Sequence, residues 1–133
     1  MLIYFHKLAN NLKNSAAKRS KLVLIPAVIA VIVNILICFL IVFQIRPLID
    51  LLPEGEAYIP LHYNIYTGID SYGRWERLFY MPMFGWAVIA GNLFVAFVVY
   101  NRKEIISYFL AISAAAVQII LLIATIFIIL INI

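Results

Sequence analysis

The sequence predicts an all-α membrane protein: three transmembrane helices, an N-terminal amphipathic segment and one structured extracytoplasmic loop. Two observations predict it. Hydrophobic residues make up 66% of the 133-residue chain and charged residues only 12%, against roughly 25% charged in a soluble domain. The charges are also segregated: Arg46 is followed by no basic residue until Arg74, and nothing charged follows Glu104. A soluble protein this small has too little interior to hide so much apolar surface. Long charge-free runs in a short chain point to lipid as the solvent.

Three such runs exist, 22–45, 78–100 and 105–131. A helix needs about 20 residues, each rising about 1.5 Å, to cross a hydrocarbon core of about 30 Å. All three are long enough, and the third has surplus for tilt or a protruding last turn. The first run is expected to be a retained span. It is longer than the apolar core of about 7–15 residues in a cleaved signal peptide, and Val42-Phe43-Gln44 offers no small-residue cleavage site. Cys38, the only cysteine, lies inside that span, so no intramolecular disulfide is possible.

Charge sets the expected orientation. The arm 1–21 carries Lys7, Lys13, Lys18, Arg19 and Lys21 with no acidic residue. The loop 46–77 sets Arg46, Arg74 and Arg77 against Asp50, Glu54, Glu56, Asp70 and Glu76, and is acidic overall. The turn 101–104 holds Arg102 and Lys103 against Glu104. Positive charge collects on the cytoplasmic side, so the arm and the turn are expected inside, and the loop and the C-terminus outside.

The arm reads as an interfacial helix from Leu2 to about Ser20. Leu2, Phe5, Leu8 or Ala9, Leu12 and Ala16 recur three to four apart on one face, and Lys7, Asn11, Asn14 and Lys18 occupy the other. Such a helix suits an anionic inner leaflet. A frayed tail that only fixes topology is the plainer alternative. Nucleic acid is not needed to explain the basic residues, and the expected partners are the lipid bilayer with a membrane protein or further copies of the chain.

Inside the spans the polar residues are few and uncharged. Pro26 is placed in the first turn of the first span, where a missing N–H does no harm. Asn34, Asn92 and Gln118 are expected to meet at one depth and to hydrogen-bond across helices. No span contains Asp, Glu, Lys, Arg or His between its ends, which argues against a proton pump or voltage sensor. Ala87 with Gly91, and Ala111 with Ala115, are four apart; with Ser113, Ala114 and Ala116 they predict a tight hairpin of the second and third spans.

The loop 46–77 is rich in aromatic residues and turn formers. Tyr58, Tyr63, Tyr66, Tyr72 and Trp75 suggest a structured element at headgroup level. Ile59, Leu61, Tyr63 and Ile65 alternate with His62, Asn64 and Tyr66, which predicts one extended piece limited to an edge by Pro60. Thr67-Gly68 and Ser71-Tyr72-Gly73 are expected to turn. His62, Asn64 and Asp70 are the candidate residues for loop structure or partner recognition, since polar side chains beside Pro60, Gly68 and Gly73 satisfy backbone groups that turns leave unpaired.

Leu52-Pro53, Ile59-Pro60-Leu61-His62-Tyr63-Asn64, Gly68, Asp70 and Gly73 together resemble a bacterial membrane family. It is the domain found at the N-terminus of SdpI-type immunity proteins, whose loop runs roughly Leu-Pro, Ile-Pro-x-His-x-Asn, Gly-x-x-Asp and an aromatic or glycine turn. Here the step from Gly68 to Asp70 is one residue shorter, and the further membrane domain of the full immunity proteins has no counterpart in these residues. The resemblance covers only this loop, with a span on either side. It implies membrane immunity or signalling and brings no catalytic residues.

Catalytic and metal chemistry find little footing. One histidine, one carboxylate and an amide make a poor zinc set, and Glu54 and Glu56 lack the spacing of a calcium loop. His6 and His62 are expected on opposite sides of the membrane, and no phosphate-cradling glycine loop is present. The expected function is a non-enzymatic membrane protein, an accessory or immunity-like factor recognising a partner through its outer loop, with no cofactor. The alternatives are a transport or permeation component acting as an oligomer, supported by the mid-span amides, and a membrane sensor.

Overall fold

The computed structural model describes residues 6, 10, 14–51 and 58–133. Helix α1 covers Lys21–Ile49, a hairpin follows with strands β1 (Tyr58–Asn64) and β2 (Gly68–Arg74), then α2 covers Trp75–Val99 and α3 Glu104–Asn132. The protein itself buries only 28%, 22% and 28% of the most apolar windows of the three helices. The remainder carries large side chains such as Leu22, Ile32, Phe43, Phe84, Phe109 and Ile120 to the outside. Surfaces that apolar are stable only against lipid. The chain is a multi-pass membrane protein.

Helices α1 and α2 both pack closely on α3 and touch each other less, so α3 is the central element. Small side chains make this possible on the α3 face: Ser107, Ala111, Ala114, Ala115 and Gln118 are buried. The matching face of α2 is Pro82, Gly85, Ile89 and Ala96. Ala87 and Gly91, expected at this contact, lie exposed on the opposite side of α2. With 3.6 residues per turn, Gly85, Ile89 and Ala96 share one stripe, and only one stripe faces α3.

Both outer helix limits differ from the charge-free runs. Helix α1 continues past Ile45 through a π turn, Ile41–Ile45, and one further turn, Arg46–Ile49. Pro47 explains the widening: it has no N–H to give to Phe43, and its ring would strike that carbonyl in a regular α-helix. Helix α2 opens early, with a 3-10 turn at Trp75–Phe79 before its α-helical part, Tyr80–Val99. Pro26 is the sixth residue of α1 and so lies in its second turn, not its first.

The arm is only partly within the described residues. Leu2, Phe5, Lys7, Leu8, Ala9, Asn11 and Leu12, and with them most of the predicted amphipathic face, lie outside them. His6 and Asn10 are helical, and Asn14 N–H donates to Asn10 O at 3.0 Å. The helix does not run on to Ser20. Ser15 is extended, a 3-10 turn covers Ala16–Arg19, and Ser20 is extended again. Tertiary bonds cause the break: Ser15 Oγ donates to Phe97 O at 2.8 Å, and Ala16 N–H donates to Asn101 Oδ1 at 3.2 Å. Ala17, not Ala16, is the alanine buried there.

At the other end the hairpin sits on the bundle. Ile59 of β1 and Leu78 of α2 join Ile37, Ile41, Ile45, Ile128 and Ile129 in the largest apolar cluster. The surplus length of α3 supplies Ile128 and Ile129, and Asn132 Nδ2 donates to Pro60 O at 3.0 Å.

Candidate functional site

The loop expected as one extended piece and two turns is an antiparallel hairpin. Ser71-Tyr72-Gly73, expected to turn, belongs to β2: Gly73 pairs with Ile59, Tyr72 with Pro60 and Ser71 with His62. The register is regular up to Pro60 and then shifts twice, around Leu61 and around Asp70. Such bulges add twist and re-aim side chains. They bring His62 and Asp70 together, His62 Nδ1–H donating to Asp70 Oδ1 at 2.6 Å. They also interrupt the predicted alternation, since Ile59 is buried and Leu61 half-buried while Tyr63 is exposed.

The hairpin turns at 64–68. Asn64 Oδ1 accepts from Tyr66 N–H at 3.0 Å, the side-chain mimic of a backbone turn. Gly68 closes it with φ +77, a conformation that side chains disfavour. Asn64 therefore serves the turn itself, and His62 with Asp70 ties the two strands. Tyr58, Tyr63, Ile65, Tyr66 and Tyr72 all point outward from this frame. An open apolar groove of about 570 Å³ runs between the hairpin (Leu61, Tyr63, Ile65) and the last turns of α3 (Phe127, Ile128, Ile131). Leu52-Pro53, Glu54 and Glu56 lie outside the described residues. Among the described residues no three His, Cys, Asp or Glu side chains converge.

Deep in the bundle a second polar constellation links all three helices. Asn34 Nδ2 donates to Gln118 Oε1 at 2.9 Å and to Pro82 O at 3.1 Å, and Gln118 Nε2 donates to Gly85 O at 3.0 Å. Asn34 and Gln118 are fully buried, and Asn34 Oδ1 has no donor among the described residues. Gly85 is required here: a Cβ on it would overlap Asn34 Nδ2 and lie 2.5 Å from Gln118 Oε1.

Asn92, expected to join this pair, does not. It donates to Ser113 Oγ at 3.3 Å on the outside of the α2–α3 contact. The reason is depth. Asn92 is seven residues beyond Gly85, about 10 Å along the axis, so it misses the level where Asn34 and Gln118 meet. Backbone carbonyls of Pro82 and Gly85 take its place.

Gly85 and Asn132 escaped sequence reasoning, as did the anchoring role of Ile59. Ile59 and Asn132 anchor the hairpin, and Gly85 admits the amides. Pro82 and Gly85, three apart and hence on one helix face, were the available signal for the last. Taken together, three apolar spans, a docked hairpin and an amide network between the helices define a small multi-pass membrane protein without an evident catalytic or cofactor feature among the described residues. The chain matches no protein-family model, no curated protein and no solved structure.

Proposed function

We propose that this protein is a non-enzymatic accessory or immunity-like membrane factor whose hairpin recognises a membrane partner on the outer face. In this reading the N-terminus and the 101–104 turn are cytoplasmic, and the hairpin and C-terminus are extracytoplasmic, which the positive charge of the arm and turn supports. One observation carries the proposal: the hairpin is seated on the bundle yet presents tyrosines and Ile65 outward. Ile59 and the Asn132 bond hold its base, while Tyr63, Ile65 and Tyr66 are 52%, 80% and 92% exposed. Exposed aromatic residues on a pre-ordered frame are the usual anchors of recognition, because little entropy is lost when they dock. The resemblance to the SdpI-type loop, carried by Ile59-Pro60, His62, Asn64 and Asp70, supports the same reading.

Copurification tests it. The intact chain, extracted in mild detergent, is expected to retain a reproducible membrane protein identified by mass spectrometry. Replacing Tyr63 and Tyr66 by Ser is expected to lose that protein while expression and insertion stay unchanged. Retention by the double variant would sink the hairpin as the recognition surface. The transport reading rests on the mid-span amides, two of which, Asn34 and Gln118, bond each other.

A further inference from the structure

We infer that a second copy of this chain packs on the exposed face of α2, with the two Asn92 amides hydrogen-bonded to each other across the dimer axis. Asn92 is a polar group in an apolar solvent. It lies inside a span, about 10 Å along the helix from Val99, half-buried, with its bond to Ser113 on the exposed side. Nδ2 gives one hydrogen to Ser113 Oγ. Its other hydrogen and Oδ1 have no partner among the described residues. Ser113 offers nothing more, because its hydroxyl already donates to Leu110 O. A side chain this short cannot reach the headgroups from two turns inside, and lipid tails neither donate nor accept. No described residue of the chain satisfies the rest of the amide, and a second copy supplies the missing group.

Gly91 points to the same face. It is helical, and a Cβ on it would meet nothing within 4 Å, in contrast to the crowding at Gly85. Glycine inside a helix is unfavourable, and nothing among the described residues explains it. A second backbone approaching closely does. Around it, Phe84 and Val95 are exposed, Ala87 is exposed and Val88 is half-buried. Ala87-Val88 and Gly91-Asn92 repeat four apart, the ridge that right-handed transmembrane pairs use.

The occupant follows from symmetry. Every copy inserts with the same orientation, so the axis of a pair lies along the membrane normal and each residue meets its twin at its own depth. A primary amide is its own complement there: N–H of each Asn92 donates to Oδ1 of the other. A different protein would need a matching polar group at that level.

Cysteine crosslinking of the full chain in native membranes tests this, with Cys38→Ala as background. Val95→Cys, on the proposed seam, is expected to form disulfide-linked dimers on mild oxidation. Ile32→Cys, exposed on α1, is expected not to. Adding Asn92→Leu is expected to weaken dimerisation about tenfold, read by energy transfer between labelled copies in vesicles, and Asn92→Gln to restore much of it. Asn92 is outside the Asn34–Gln118 network, so the leucine variant still folds as a monomer. Absence of Val95→Cys dimers, crosslinking to a different protein, or equal dimerisation with leucine at 92 would each overturn the inference.

Discussion

Two polar side-chain pairs in this molecule have similar lengths and very different weight. Asn34 and Gln118 bond at 2.9 Å with both residues fully buried between helices, whereas His62 and Asp70 bond at 2.6 Å with 65% and 37% of their side chains exposed. In the bundle, lipid offers the amides no alternative partner, so breaking the bond leaves polar groups unsatisfied. On the hairpin, water replaces a lost partner at little cost, and an exposed pair is worth about 0–1 kcal/mol. The shorter bond is the weaker contribution. Stability resides in the membrane, and the hairpin borrows it through Ile59 and Asn132.

The largest effect is expected at Gly85. Gly85→Ala forces a methyl group into the space of two amides that cannot withdraw without losing their bonds, and is expected to destabilise the bundle by about 3 kcal/mol. Unfolding by denaturing detergent in mixed micelles reads this as a lowered midpoint. Gly91→Ala, with open space around it, is expected to leave the monomer's midpoint unchanged or slightly raised. Equal loss at both glycines would contradict the contrast.

Next comes Ile59→Ala. Ile59 is 5% exposed beneath the hairpin, and its truncation is expected to cost about 2 kcal/mol, all of it local. Limited proteolysis is expected to cut the hairpin faster while the bundle's midpoint stays in place. A falling midpoint would mean that hairpin and bundle are one cooperative unit.

Asn34→Leu and Gln118→Leu are each expected to cost about 1–2 kcal/mol, since each strands a buried partner. The double leucine variant is expected to cost less than the sum, because both stranded groups leave together. Strict additivity in the same detergent titration would show that the two amides act separately.

The smallest effect is expected at Asp70. Its bond to His62 is exposed to water, which holds its worth below about 1 kcal/mol. Asp70→Ala is expected to leave insertion and protein level unchanged and to raise hairpin proteolysis less than Ile59→Ala does. A larger rise would show that the exposed bond, not the apolar base, seats the hairpin.

What was legible in the sequence follows the same physical divide. The spans were legible because lipid excludes charge, and every charge-free run became a helix. Their outer limits were not, because Arg46-Pro47 and Trp75 to Arg77 look like loop, while helices at an interface continue as long as water or headgroups can receive them. Strand β2 was hidden because Ser71 and Gly73 are turn formers by composition, and only pairing with Ile59 and His62 makes them strand. Asn64 accepts from Tyr66 N–H in the turn, a local contact, whereas His62 and Asp70 meet across the two strands. Partners of the mid-span amides depend on the depth and rotation of three helices, which residue spacing along one chain does not carry. Asn34 and Gln118 met; Asn92 missed by two turns.

The proposed function places the hairpin on the outer face of the membrane. Labelling of single cysteines with an impermeant thiol reagent in intact cells, in a Cys38→Ala background, tests it most directly. The account predicts that Ser71→Cys is labelled at once, while Asn14→Cys and Asn101→Cys, joined through the bonds between arm and turn, react only after permeabilisation. Labelling of Asn101→Cys from outside, or protection of Ser71→Cys, would contradict it.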